Sequence, residues 1–316
     1  MLSFISFISF ALSLFIDGAT DCANSVTGAV SSKALSVKSA SLLCAVFGFL
    51  GMMIFSLFFP AVAENSALIA SFPDGKGESA VAASLLSVFI WSLLAWLFGI
   101  PTSEGQGLLC AMAGSALALG GDVSFADIMI LLLWSIPAVL MSGSFTYIFV
   151  KMLEKRNKPE GSQQRFLLIA ASATAAFFHG AQDGQKFFAL SLCTGTLFFE
   201  SSALTVLILS ACMAAGTIFA GRRIIKKMEE VSPKSTFSAL VGEFSGSLVL
   251  LMLTLLGAPV STTQIKSSAL IFAKAAEGRK NRPSDILLLL LAWIATLPVC
   301  FSLSFCITKL FFAIIL

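Results

Sequence analysis

Long apolar stretches alternate with short polar links along the whole chain. Ten apolar segments can be counted, and most approach the ~20 residues that an α-helix needs to cross a bilayer. Because the runs are continuous rather than alternating, a transmembrane β-barrel is excluded. The pattern predicts an all-α polytopic membrane protein. The approximate segment bounds are 2–31, 39–63, 79–98, 102–119, 125–150, 166–196, 199–220, 237–257, 259–276 and 285–315.

Segments 102–119 and 259–276 are short, and the sequence leaves open whether they span the membrane fully or form half-helices or re-entrant hairpins.

The composition agrees with a membrane protein, since 57% of the residues are hydrophobic and 12% are charged. A soluble domain carries about a quarter charged residues. The first segment lacks a basic leader and a small-residue cleavage site, which predicts a retained helix rather than a signal peptide.

Lysine and arginine residues occur in alternate links, which predicts the sidedness of the chain. Since basic links favour the cytoplasmic side, ten alternating spans put all four basic links inside and both termini outside. A single miscounted span would destroy this agreement. The basic links lie around 33–38, 151–165, 222–234 and 274–282, whereas those around 64–78, 120–124 and 197–200 are acidic or neutral.

The two halves of the chain resemble each other. Gly-Ala-x-Asp at 18–21 returns 162 residues later at 180–183, and Gly-x-Pro-x-Ser at 99–103 returns 158 residues later at 257–261. Each half holds five segments, and an odd number inverts the second copy. The sequence therefore predicts two inverted-topology repeats with broken helices or re-entrant hairpins at the midplane, an architecture typical of secondary transporters. The predicted repeats cover residues 1–155 and 156–316.

Two polar motifs interrupt the apolar pattern at bilayer depth, where a carboxylate is costly and usually functional. The first polar motif (residues 17–24) reads Asp-Gly-Ala-Thr-Asp-Cys-Ala-Asn, and the second (residues 179–186) reads His-Gly-Ala-Gln-Asp-Gly-Gln-Lys. Glycine allows the backbone to unwind, and a carboxylate is a hard ligand for a cation. We predict that both motifs interrupt their helices and that Asp21 and Asp183 bind a metal cation. The alternative is that both aspartates only cap half-helices.

The repeated Gly-x-Pro-x-Ser element predicts a helix that starts inside the membrane. In the second copy, hydroxyl and N–H groups of 261–263 at a positive helix end suit a tetrahedral oxyanion. In the first copy Ser103 is kept, and Glu104 is a candidate for a cation or a proton. The predicted substrate-binding residues are Thr20, Asn24, Ser103, Gln182, Lys186, Ser261, Thr262 and Thr263, and the predicted cation-binding residues are Asp21, Asp183, Glu104 and Glu243.

Several charged residues keep alternative interpretations. Glu243 is a cation ligand or lies near the membrane edge. Lys266 pairs with Glu104, contacts the anion, or snorkels to the cytoplasmic surface. His179 is the only histidine in the sequence. It either has a structural role or binds and releases a proton during function. Gln185 joins Gln182 as a candidate polar ligand near the second aspartate.

Other classes of protein are excluded or disfavoured. No phosphate-binding GxxxxGK[ST] loop occurs, so pumping driven by ATP within this chain is not expected. With one histidine and no clustered nucleophile and base, we expect no enzyme activity. The basic links serve as membrane anchors, and nucleic acid is not an expected partner. Apart from a coupling Na⁺ or H⁺, no cofactor is expected.

The two polar motifs and the Pro-Val-Ser-Thr-Thr stretch resemble the inorganic phosphate transporter (PiT) family of anion permeases. Its hallmark is Gly-Ala-Asn-Asp-x-Ala-Asn in each half, with Pro-Val-Ser-Thr-Thr-His downstream. This sequence departs at Thr20, Gln182 and Gln264, and Gly48 stands where the family often has glutamate. The resemblance implies import of inorganic phosphate across the plasma membrane, driven by a Na⁺ or H⁺ gradient. The departures keep sulfate or another oxyanion as an alternative, an anion channel is less favoured, and a homodimer is left open.

Overall fold

The computed structural model describes residues 2–22, 24–73, 75–154, 161–194 and 202–315, and these form an almost entirely helical protein. A π-helical turn (Gly18–Cys22) separates the first two helices. The helices are α1 (Leu2–Asp17), α2 (Thr27–Ser31), α3 (Val37–Phe58), α4 (Ala61–Ala67), α5 (Gly77–Phe98), α6 (Glu104–Leu119), α7 (Phe125–Leu153), α8 (Gly161–Thr194), α9 (Ser202–Ala220), α10 (Arg222–Met228), α11 (Thr236–Leu255), α12 (Thr262–Ala276) and α13 (Pro283–Ile315).

The prediction of an all-α polytopic membrane protein is confirmed. Each of the ten predicted segments contains one of the longer helices, and the short helices α4 and α10 lie between them. In the described part of the chain, seven helical stretches are long and apolar enough to cross a membrane: α1 with the π turn, α3, α5, α7, α9, α11 and α13. Helices α6 and α12 are shorter, and α8 carries the second polar motif.

The short helices α6 and α12 each follow a non-helical stretch that carries the Gly-x-Pro-x-Ser element. Gly99 and Gly257 have φ values of 70° and 67°, a left-handed conformation that glycine adopts without strain after a helix. Helix α6 has 16 residues and α12 has 15. At 1.5 Å per residue these helices are about 24 and 22 Å long, less than the ~30 Å hydrocarbon core. In each of these two segments, an extended stretch therefore covers part of the membrane thickness and a short helix covers the rest.

Contacts between links define two ends of the molecule. At the basic end, Arg165 donates to the Ala34 carbonyl at 2.8 Å, and the Ser235 N–H donates to Glu277 at 2.8 Å. At the opposite end, the Ser71 N–H donates to the Asp122 carbonyl at 3.0 Å. The described basic links thus meet at one end, as alternation of ten spans requires. The predictions for Lys155, Arg156, Lys158 and the 197–200 link lie outside the described residues.

Helix packing follows the inverted repeat. Helix α3 packs against α8 as α1 packs against α9, and α6 packs against α13 as α12 packs against α7. Likewise α5 contacts α1 and α6, while α11 contacts α8 and α12. Exchanging the two halves therefore maps each of these contacts onto another of them, and the prediction of inverted repeats is confirmed. The exact boundary between 155 and 156 stays a prediction, since it lies outside the described residues.

Glycines allow the closest helix crossings. A Cβ atom at Gly180 would overlap the Gly48 carbonyl, so α8 and α3 meet backbone to backbone. A Cβ atom at Gly216 would overlap the Phe15 carbonyl where α9 crosses α1. Small residues commonly permit such approach between membrane helices. At position 48, where the resembling family often has glutamate, the backbone of this chain packs directly against Gly180.

Candidate functional site

The first polar motif is placed by the π turn that follows α1. A π turn widens the helix locally and is often found at functional sites. The Thr20 hydroxyl lies 2.8 Å from the Ile16 carbonyl oxygen and also contacts Glu104 Oε1, so its single proton is shared between the two acceptors. Asp21, which is 1% exposed, accepts from the Glu104 backbone N–H at 3.3 Å. The predicted interruption of this helix is confirmed, and it brings Thr20 and Asp21 to the start of α6.

The second polar motif does not interrupt its helix, and that prediction was wrong. Helix α8 continues from Gly161 to Thr194 through the whole motif. Spacings of three and four residues place His179, Asp183 and Lys186 on one helical face. Asp183 pairs with Lys186 Nζ at 2.6 Å and lies 3.3 Å from His179 Nδ1. Side chains supply the partners of this carboxylate, so no exposed backbone N–H from α8 is needed.

The first turns of α6 and α12 face the two aspartates. Helix N-termini carry unpaired N–H groups and a positive partial charge. The Thr262 hydroxyl donates to Asp183 Oδ2 at 2.6 Å, just as the Glu104 N–H donates to Asp21. Glu104 and Thr262 are equivalent positions, 158 residues apart. Each repeat therefore presents one short-helix N-terminus against one buried aspartate.

The three hydroxyl residues at the start of α12 make different contacts. Ser261 is the N-cap, because its side chain accepts from the Gln264 N–H at 3.3 Å. Thr262 holds Asp183. Thr263 Oγ1 is buried and makes no hydrogen bond of standard geometry among the described residues, but its hydroxyl lies beside the Asp21 carboxylate. Thr262 and Thr263 thus each face one of the two buried aspartates.

Gly105 opens space at the start of α6 for Lys186. A Cβ atom at Gly105 would lie 2.8 Å from Lys186 Nζ and 3.1 Å from Asp183 Oδ1. Lys186 also donates to the Val260 carbonyl, so its end is fixed on two sides. The repeat equivalent of Gly105 is Thr263. The replacement of threonine by glycine in the first copy therefore admits a lysine from the second.

The pseudo-twofold axis runs between two equivalent glutamines. Gln264 Nε2 donates to Gln106 Oε1 at 2.9 Å, and these positions are again 158 residues apart. Gln106 Nε2 donates to Ser135 at 2.7 Å. Gln264 stands where the resembling family has histidine, and its amide joins the two short helices. The site thus lies where the repeats meet.

All twelve predicted site residues are buried, none being more than 2% exposed. Asn24 links the first motif to α12, since its Nδ2 donates to Ser267 at 3.2 Å. Gln182 lies at one edge of the site, where it donates to Thr254 and to the Ala258 carbonyl. Gln185 is directed elsewhere, because its Oε1 accepts from N–H groups in the first turn of α4. The structure thus assigns Gln185 to helix packing.

Glu243 and Lys266 form a buried ion pair at another edge of the site. Lys266 Nζ contacts Glu243 Oε2, and the two side chains are 1% and 0% exposed. Glu243 Oε1 accepts from the Gly28 N–H at 3.2 Å. Lys266 therefore neither snorkels nor pairs with Glu104, and Glu243 is enclosed by protein rather than exposed. The carboxylate predicted to hold a mobile cation already holds an ammonium group.

Several buried oxygens fit a hard cation such as Na⁺. Among the described residues, Asn24 Oδ1 and Gln182 Oε1 lack a hydrogen-bond partner. Asp21 Oδ1 and Glu104 Oε2 make no hydrogen bond of standard geometry, although the hydroxyls of Thr263 and Ser92 lie beside these two carboxylates. Carboxylate, amide and hydroxyl oxygens are the ligands that hard cations prefer. A buried polar atom without a partner is costly, so a cation would offset that cost.

A second group, which adds Asp17 and His179 to the predicted ligand Asp183, also has cation-binding geometry. Ligand atoms of Asp17, His179 and Asp183 lie within 4.8 Å of one another, and all three residues are buried. Asp17 ends α1, directly before the π turn. Asp17 belongs to the first polar motif, but it was not among the residues predicted to bind a cation or the substrate. The signal was present, since aspartates at both 17 and 21 repeat the spacing of His179 and Asp183 on one helical face.

Inverted repeats that meet at buried carboxylates and short-helix N-termini define the architecture of a secondary transporter. A model of the phosphate transporter family matches this chain over residues 17–163 and again over 152–304. The two matches together cover most of the chain. The protein belongs to the phosphate transporter family.

Relatives and one solved structure agree with this assignment. A probable low-affinity inorganic phosphate transporter of Bacillus subtilis is 28% identical over 308 residues, covering 92% of this chain and 91% of the relative. One from Rhizobium meliloti is 28% identical over 317 residues, with 92% and 90% coverage. A solved structure described as the sodium-dependent phosphate transporter is 17% identical, covers 99% of both chains, and superposes with a TM-score of 0.85. At that identity the structure shows a shared fold.

Proposed function

We propose that the protein imports inorganic phosphate across the plasma membrane together with Na⁺. Family membership and the described activity of the bacterial relatives support the substrate. The solved structure with the same fold belongs to a sodium-dependent transporter, which supports the coupling ion. The departures at Thr20 and Gln182 are then tolerated, because both side chains still lie buried beside the two short helices.

The observation that carries the proposal is the pair of opposed helix N-termini beside buried carboxylates. The N–H groups at the start of α12 and the Thr263 hydroxyl suit a phosphate oxyanion. Asp21 and Glu104 supply carboxylate oxygens for Na⁺. The anion and the cation would thus bind side by side, each lowering the cost of burying the other.

The charge balance favours cotransport over anion uniport. Five carboxylates are buried in the described part of the chain: Asp17, Asp21, Glu104, Asp183 and Glu243. Two buried ammonium groups, Lys186 and Lys266, pair with Asp183 and Glu243, whereas Asp21 and Glu104 pair with no ammonium group among the described residues. A phosphate dianion would add further negative charge at bilayer depth, where uncompensated charge is costly. Entry of the anion therefore requires cations to accompany it.

The inverted repeats support alternating access by rocking of one repeat against the other. The equivalent stretches 257–259 and 99–101 line cavities of about 410 Å³ and about 20 Å³ at opposite ends of the molecule. No predicted site residue lines either cavity.

We place the basic end in the cytoplasm and both termini outside. The basis is the clustering of the described basic links at one end. In a cysteine-free background, we expect Asp122→Cys to react with an impermeant maleimide in intact cells. The matched variant Lys280→Cys, also exposed, should react only after the membrane is opened. Reaction of Lys280→Cys in intact cells would reverse the assigned orientation.

Labelled phosphate uptake into proteoliposomes tests the proposed function. An inward NaCl gradient should drive saturable uptake, whereas choline chloride at the same ionic strength should not. A pH gradient without Na⁺ tests proton coupling, and excess sulfate tests the alternative oxyanion. Uptake abolished by sulfate would favour a sulfate permease. Uptake without saturation and independent of a second gradient would favour a channel.

A further inference from the structure

The Glu243–Lys266 pair has no charged counterpart in the first repeat. At the 158-residue separation, Glu243 corresponds to Leu85 and Lys266 to Leu108. Both leucines are fully buried in one apolar cluster. The two repeats thus fill equivalent places in opposite ways, one with an ion pair and the other with two leucines.

Two glycines make room for the ion pair. A Cβ atom at Gly28 would lie 2.7 Å from Glu243 Oε1, and one at Gly246 would lie 3.4 Å from Lys266 Nζ. At the separations of 162 and 158 residues, their counterparts are Leu190 and Val88. Both belong to the same apolar cluster as Leu85 and Leu108. The two repeats therefore differ at four equivalent positions, and one of the two arrangements admits a carboxylate and an ammonium group.

Stability alone does not account for such a pair. Replacing a buried ion pair by well-packed apolar residues is often neutral or stabilising, and the first repeat shows that apolar residues fit this place. The pair also adjoins the site. Lys266 lies one helical turn after Thr262, which holds Asp183, and its neighbour Ser267 accepts a hydrogen bond from Asn24.

We propose that Lys266 is a built-in counter-cation that occupies, beside Glu243, the place of a mobile alkali cation. The Lys266 ammonium donates to one oxygen of the Glu243 carboxylate, and the Gly28 N–H donates to the other. This inference deepens the proposed function, on which it rests. It means that Na⁺ enters at Asp21, Glu104 and the Asp183 group, and that Glu243 binds none while Lys266 is present.

Removing the ammonium while keeping the carboxylate should create a Na⁺ site. Lys266→Met keeps the length of the side chain and removes its charge. We expect the melting temperature of the purified variant to rise with NaCl more steeply than that of wild type, because a ligand that binds only the folded state stabilises it. Choline chloride holds the ionic strength constant in every sample.

The matched control is Glu243→Gln/Lys266→Met, in which no carboxylate remains. Its response to NaCl should return to the wild-type slope. If Lys266→Met unfolds during purification in choline chloride, NaCl should restore its recovery. The proposal is overturned if the melting temperature of Lys266→Met depends on NaCl no more steeply than that of wild type. It is also overturned if the steeper dependence persists in the double variant, or if Lys266→Met unfolds equally in NaCl and in choline chloride.

This test reads ion binding and not transport, so it is separate from the proposed function. Absence of phosphate uptake by wild-type proteoliposomes would contradict the proposed function and leave the Na⁺ response of Lys266→Met to be judged by itself. Conversely, Na⁺-driven phosphate uptake by wild type together with an unchanged slope in Lys266→Met would overturn only the role given to Lys266.

Discussion

Asp183→Asn is expected to reduce Na⁺-driven phosphate uptake by about 100-fold or more. The carboxylate pairs with Lys186 at 2.6 Å and accepts from Thr262 at 2.6 Å, so it joins α8 to the start of α12. An amide leaves the buried ammonium unpaired, and breaking a buried ion pair costs about 3–5 kcal/mol. The measurement is the initial uptake rate in proteoliposomes, normalised to reconstituted protein.

Two further variants separate the role of charge from general damage. Asp122→Asn removes an exposed carboxylate in the link between α6 and α7, and it should transport like wild type. Asp183→Asn/Lys186→Met removes both members of the pair. Its melting temperature should recover relative to Asp183→Asn, since no unpaired charge remains, whereas uptake should not. Full uptake by Asp183→Asn would show that this carboxylate has no part in coupling.

Gly105→Ala is expected to reduce uptake strongly although it adds a single methyl group. That group would lie 2.8 Å from Lys186 Nζ and 3.1 Å from Asp183 Oδ1, and Val260 holds the same lysine from the other side. Because Lys186 cannot move away without losing its partners, the methyl group must displace α6 or break the ion pair. Overpacking of this kind costs about 1–3 kcal/mol. Uptake and melting temperature should both fall.

Gly242→Ala is the matched control for Gly105→Ala, since it is also a glycine within a helix. Its added methyl group would meet Ala273 Cβ at 3.4 Å, an ordinary contact. Alanine favours helix by about 1 kcal/mol over glycine, so the melting temperature should be unchanged or higher. If both variants lost activity equally, a general effect of helical alanine would replace the explanation through Lys186.

The fold could be predicted from the sequence because the membrane limits what an apolar segment can form. Segment lengths, alternation of basic links and the two repeated motifs were sufficient for ten segments in inverted repeats. The ambiguity of 102–119 and 259–276 could not be resolved from hydropathy. Both stretches combine an extended entrance with a short helix, and their apolar content resembles that of a weak full span.

The sequence identified most residues of the candidate site, but it did not predict most of the contacts between them. The twelve predicted residues are buried, but the sequence could not place Lys266, because pairing with Glu104, contact with the anion and snorkelling were all compatible with its position. The continuity of α8 was also missed, since the same Gly-Ala-x-Asp letters form a π turn in the first copy. Asp17 was overlooked because its contact with His179 and Asp183 joins residues 162 or more positions apart.

The central claim is that phosphate and Na⁺ bind together between the two short helices. The most direct test is equilibrium binding of labelled phosphate to the purified protein, measured over a series of NaCl concentrations with choline chloride as the balancing salt. We expect phosphate affinity to rise with Na⁺ in wild type, and Asp21→Asn to lose this dependence. By linkage, phosphate should strengthen Na⁺ binding by the same factor. Phosphate affinity that is equal in NaCl and choline chloride would contradict the account.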